Sequence, residues 1–152
     1  MLANLLTKKQ IKIVDNISDW KAAIELVCKP LISQGAIEVK YQNTIIQETE
    51  NLGAYYVLAP LIAMPHARPE KGVKQDALSL LIIRNGVNFN SSENDPVKIV
   101  LLLAAKNSNQ HIQLISSISE FFCCEEDIGQ VINATSVDEV LTIISKYKGV
   151  TV

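Results

Sequence analysis

Apolar residues along this chain recur either at helical spacing or in alternating and unbroken runs, and the changes between the two patterns sketch the elements. Ile11 to Asp15 (IKIVD) is short, β-branched and alternating, which predicts a strand. Ser18 then offers an N-cap with Asp19 in the first turn, and Trp20, Ala23, Ile24 and Val27 predict a helix toward Gln34, disturbed by Pro30 and stopped at Gly35. A second helix is expected from about Val39 through Glu50, with Tyr41, Ile45, Ile46 and Thr49 on one side and Gly53 at its end. From Ala54 the period changes. Tyr55 to Leu58 and Ile62 to Met64 read as two short extended segments separated at Pro60, and Ala77 to Arg84 reads as a strand with no wet face.

Gly86 turns the chain, Val87 to Phe89 look extended, and SSENDP is a polar loop. Val97 to Ala105 (VKIVLLLAA) is the most densely apolar segment and should take a central sheet position. Asn107 and Ser108 then give a capping signal for a helix to about Cys124, and with Ser108 as N-cap, His111 is its third residue. Asp127 to Asn133 reads as a short helix, and Ser136 with Glu139 forms a capping box opening a last helix through Tyr147. The expected architecture is α/β: a single domain over residues 1–152, with a mixed sheet of roughly five strands and helices on both faces.

Composition narrows the function. Hydrophobic residues make up 48% and charged residues 20%, so a packed core rather than disorder is expected. A net charge of −2 with interspersed signs lacks the footprint of a nucleic-acid binder. The longest uncharged apolar stretch, Ala54 to Pro65, is too short to span a bilayer. The N-terminus puts its lysines after its apolar residues, the reverse of a secretory signal, so a cytoplasmic location is expected. Cys28, Cys123 and Cys124 fit a reducing compartment, and with no second cysteine pair they read as small buried or half-buried apolar residues.

Candidate chemistry centres on Leu58 to Gly72, LAPLIAMPHARPEKG. An apolar run breaks at Pro65-His66, where Pro65 fixes its own φ and holds Met64 extended, so the imidazole stands on a stiff support. A neutral imidazole is a nucleophile toward phosphorus, and its phosphoramidate is labile enough to pass the group onward. The second of the two histidines, His111, falls in the first turn of a helix, where free amides and the macrodipole favour an anion; with Ser108 at the cap, that turn is a candidate phosphate cradle. Arg68, two residues after His66 in extended geometry, points to the same side and could take phosphoryl oxygens bidentately. Plainer roles stand beside these: a cap partner for His111, a loop position for His66, a solvated loop arginine for Arg68.

Asn51, Leu58-Ala59 and Ile62-Ala63-Met64-Pro65-His66-Ala67 together resemble the phosphorylation-site pattern of the enzyme IIA components of the bacterial sugar phosphotransferase system, of the mannitol/fructose type. The similarity continues through the next strand, Asp95-Pro96-Val97, and Leu103-Ala104-Ala105 leading to Ser108 and His111; the HARPE loop with Gly72-Val73 is most similar to the ascorbate-type branch. The resemblance implies that His66 accepts a phosphoryl group from the histidine-containing phosphocarrier protein and passes it to a cysteine of a cognate enzyme IIB, serving uptake of L-ascorbate or a related sugar compound. It also implies a supporting role for His111, a mixed sheet between helices, and no metal or organic cofactor. A membrane permease would be a partner only indirectly. Mannitol-type relatives carry an arginine where this chain has Glu50, so either Arg68 takes over the charge role or the site is more electronegative.

Two other functions compete. A regulatory module of the nitrogen-related kind would use the same phosphohistidine to control binding to a non-transport partner. A small hydrolase or metal protein would need carboxylates at ligand spacing, and Glu70 is the only acid close to either histidine along the chain.

Overall fold

In a computed structural model, residues 2–147 are described, and four strands form one sheet in the order β1-β3-β4-β2. β1 (Ile11–Val14) runs parallel to β3 (Ala77–Val87), β3 runs antiparallel to β4 (Val97–Ala104), and β2 (Leu61–Ala63) runs parallel to β4. The two long strands are predominantly apolar on both sides because both of their faces are covered. Leu78, Leu80 and Ile82 with Ile99, Leu101 and Leu103 join one core, while Leu81, Ile83, Val100 and Leu102 join the other.

Helices complete the layers. α2 (Trp20–Ser33) and α3 (Val39–Leu52) cover one face, supplying Ile24, Val27, Leu31, Tyr41 and Ile45. α4 (Ser108–Phe122), α5 (Glu125–Ile132) and α6 (Val137–Ile144) cover the other, through Leu114, Ile118, Phe121, Val131 and Val140. A single turn, α1 (Leu2–Leu5), precedes β1. None of the described helices is long and apolar enough to cross a membrane.

Several expectations shift. The sheet has four strands rather than about five, because Tyr55 to Leu58 finds no ladder partner: Tyr56 and Val57 sink into the core while Leu58 is 81% exposed. Val87 ends β3 instead of opening a new strand, and Phe89 is buried beyond it. Pro30 is accommodated inside α2, whose N-cap is Asp19 rather than Ser18, the carboxylate accepting from the Ala22 amide at 2.8 Å. α4 is capped by Asn107, not Ser108, and stops at Phe122. The Ser136 hydroxyl accepts from the Glu139 amide, but the Glu139 carboxylate turns to Thr135, so the expected capping box is half formed. α6 ends at Ile144 instead of Tyr147. Cys28 is buried and Cys124 half-buried as expected, whereas Cys123 is exposed, because the helix it was assigned to ends one residue before it.

Candidate active site

β2 ends at Ala63, and the chain then stays beside β4 without strand geometry: the Leu103 amide donates to the Pro65 carbonyl at 3.1 Å, and the Met64 amide to Tyr56 at 3.2 Å. Pro65 has no amide to satisfy, so it is buried at no hydrogen-bond cost on that side. His66 follows, half-buried. Its Nδ1 lies 2.8 Å from the Met64 carbonyl, an acceptor only, so the Nδ1 proton points into that bond and the Nε2 lone pair is left free.

Tyr41 of α3 locks the next peptide. Its hydroxyl accepts from the Ala67 amide at 2.9 Å and donates to the Leu103 carbonyl at 2.7 Å, tying helix, loop and central strand together below the histidine. Burial raises the pKa of this phenol, so it stays protonated and keeps donating.

His111 arrives from α4. The Asn107 side chain accepts from the Gln110 amide at 2.9 Å, and the His111 amide already bonds the Asn107 carbonyl at 3.0 Å, so His111 is the fourth helical residue and its own amide is not free for an anion. The unpaired first-turn amides belong to Ser108 and Asn109. What His111 contributes is its ring, 5.3 Å from that of His66, centroid to centroid, at 49°. Burial and the neighbouring His66 hold the His111 pKa below its ordinary value. At neutral pH it is therefore an uncharged imidazole whose N–H can donate to an oxygen.

The two rings border a cleft of about 450 Å³ whose lining also includes Arg68, Ser108, Glu48 and Tyr55. Arg68 is exposed and extended, on the same cleft as His66, the geometry its two-residue offset implies. Glu50 is outside the lining and pairs with Lys21 at 3.6 Å on the surface. Among the described residues, no group of three His, Cys, Asp or Glu side chains is arranged to hold a metal ion.

Residues 4–147 match the family model of the phosphoenolpyruvate-dependent sugar phosphotransferase system, EIIA 2. The chain belongs to this family of phosphoryl carriers. Such an enzyme IIA component from Escherichia coli, the mannitol-specific cryptic one, is 34% identical over 145 residues, 95% of this chain and 98% of that one. Its solution structure superimposes with a TM-score of 0.88. The ascorbate-specific EIIA component of the same organism is 33% identical over 144 residues, 94% of each chain, so mannitol and ascorbate relatives stand equally near. E. coli enzyme IIAMtl, solved in complex with phosphorylated enzyme IIBMtl, is 26% identical, with a TM-score of 0.81 over 93% of this chain and 97% of that one. Enzymes IIA of this family work with an enzyme IIB partner.

Two residues that line the cleft, Glu48 and Tyr55, and Tyr41 buried beneath the loop escape sequence reasoning as parts of the site. Tyr41 carried a usable signal, because a tyrosine on a buried helix face needs a partner for its hydroxyl. Glu48 sits on the same α3 stripe as Tyr41 and Ile45, and a carboxylate on an otherwise apolar stripe is also a signal. Tyr55 carried none, since its neighbours read as a strand.

Proposed function

We propose that His66 is the phosphoryl acceptor of this enzyme IIA. The observation that carries the reading is the 2.8 Å bond from Nδ1 to the Met64 carbonyl, which leaves Nε2 as a nucleophile beside the His111 ring and the cleft. In the step, the Nε2 lone pair forms the new N–P bond while the N–P bond of the donor, the phosphohistidine of the histidine-containing phosphocarrier protein, breaks and returns its electron pair to the donor ring. The uncharged His111 ring donates an N–H to a phosphoryl oxygen, and Arg68 and Ser108 bind the others. Onward transfer breaks the N–P bond again and forms a P–S bond to a cysteine thiolate of the cognate enzyme IIB, in support of sugar uptake. The HARPE loop supports L-ascorbate or a related compound as the sugar served. Glu50 pairs with Lys21 away from the cleft and Arg68 lines it, which supports Arg68 as the source of positive charge.

Incubation with phosphoenolpyruvate and the general phosphotransferase proteins should add one phosphate, lost in acid. His66→Ala should abolish labelling, and a variant that still labels fully refutes the assignment. His111→Ala should label but transfer onward more slowly; unchanged transfer removes His111 from the mechanism. Labelling with no transfer to any enzyme IIB, together with phosphorylation-dependent capture of another protein, would replace transport with regulation.

A further inference from the structure

The cleft contains a carboxylate that a phosphate-binding site does not need. Among the described residues that line it, Glu48 is the only acid and Arg68 the only guanidinium. It is also held in place: the Tyr55 hydroxyl donates to Glu48 Oε2 at 3.0 Å and lies 3.2 Å from the His66 carbonyl, so the carboxylate stands within about 6 Å of the His66 backbone. The Tyr55 ring meets the His66 ring edge to face, with centroids 6.1 Å apart at 82°. Burial and the bond to Glu48 push the Tyr55 pKa up to about 12, so the phenol remains a neutral donor to the Glu48 side chain.

We propose that Glu48, pinned by Tyr55, sets the phosphoryl-transfer potential of His66 by charge repulsion. The inference rests on His66 being the acceptor. A phosphoryl group on Nε2 brings up to two negative charges into a cleft that already holds one, which raises the energy of the phosphorylated state relative to the free one. A carrier must give its group away, and a fixed like charge favours the break of the N–P bond and departure of the group to the next acceptor. Because the effect is Coulombic and the cleft is open to solvent, salt weakens it.

The test is the exchange equilibrium between this protein and the phosphorylated histidine-containing phosphocarrier protein, measured from the phosphorylated fractions of both. Glu48→Gln keeps an acceptor for Tyr55 and removes the charge. A single carboxylate acting on a doubly charged group at a separation on the order of 10 Å, through a dielectric close to that of water, shifts such a constant by about fivefold toward the phosphorylated protein at low ionic strength. The shift should shrink toward unity in roughly 1 M salt, where the Debye length falls to about 3 Å. Tyr55→Phe, which frees the carboxylate to swing into water, should shift the constant the same way by less. An unchanged constant for Glu48→Gln at low salt, a shift of opposite sign, or a shift that salt does not touch overturns the proposal. An unchanged constant for Tyr55→Phe overturns the pinning. A wild-type protein that takes no phosphate refutes His66 as acceptor, whereas normal labelling with an unshifted Glu48→Gln equilibrium refutes only the role of Glu48.

Discussion

Replacing Tyr41 by phenylalanine removes one oxygen and leaves the ring, so the apolar packing of α3 against the sheet is preserved. What is lost is specific. The Ala67 amide and the Leu103 carbonyl, bonded to that hydroxyl at 2.9 and 2.7 Å, are left facing a phenyl edge, the carbonyl in a buried position and the amide in a half-buried one. A neutral hydrogen bond is worth about 1 kcal/mol net, and orphaning a buried partner costs about 1–3 kcal/mol, so the combined loss should be about 2–3 kcal/mol. At about 2–4 °C per kcal/mol for a chain of this size, the melting midpoint should fall by about 5–10 °C. Urea unfolding at fixed slope gives the free energy directly, because a changed midpoint with unchanged slope is a change in stability alone. The initial rate of His66 labelling should also fall, because Ala67 follows His66, the proposed acceptor, and its peptide would be free to rock. Tyr56→Phe is the control. Thr49 already donates its own proton to the Ile45 carbonyl at 2.7 Å, so Tyr56 is the donor in their 2.7 Å contact, and its loss leaves Thr49 bonded. That variant should lose about 1 kcal/mol or less and label at the normal rate. A Tyr41→Phe loss below about 0.5 kcal/mol, or a loss equal to that of Tyr56→Phe, would refute the idea that this hydroxyl anchors the loop.

Two further outcomes follow from titration. His111 is held below its ordinary pKa first by burial and then by His66, so the folded state prefers the neutral ring; its share of stability is complete above the unfolded value and is lost as pH falls from there through the folded one. An NMR titration should place His111 below free histidine, and His66→Gln should raise its midpoint without restoring it fully; a midpoint that does not move would eliminate His66 as a perturbing charge. Asp127, on α5, is held below the usual carboxylate range by hydrogen bonds from Tyr147 and from Lys146, the latter at 3.0 Å. Its contribution is therefore present above the unfolded value of about 4 and disappears as pH falls through the lower folded one, so Asp127→Asn should be the less stable protein at pH 7 and the gap should close toward pH 3. Urea midpoints at the two pH values decide it, and an equal gap at both would sink the explanation.

The sheet's centre was legible because covering both faces makes a strand almost wholly apolar, and Ala77–Val87 up to Ile83, and Val97–Ala104 apart from Lys98, have that pattern. Tyr55 to Leu58 was misread for a related reason: its residues suit a pleated surface, but a strand exists only where a neighbour offers a ladder, and no local pattern states whether one does. The helix caps slipped by one residue at Asp19 and Asn107, because two adjacent polar side chains can each cap and only the hydrogen bond chooses between them. For His111 that slip has chemical content: moved to the fourth position it loses its free amide, and its ring must supply any contact with an anion.

The candidate segment itself was readable because Pro65 to Arg68 are contiguous and backbone geometry carries from one to the next. Glu48 was not, since its entry into the cleft depends on where α3 crosses the loop after β2, and that is fixed by Tyr41 filling the space below Ala67. The physical asymmetry runs through the whole site. The charged group that reaches the cleft from the segment after His66, Arg68, brings positive charge, and the carboxylate in the same lining, Glu48, arrives across the fold. Reading along the chain alone therefore finds the groups that would hold a phosphate and overlooks the one that would repel it. A carrier requires both, because a site that only binds would keep its phosphoryl group instead of passing it on.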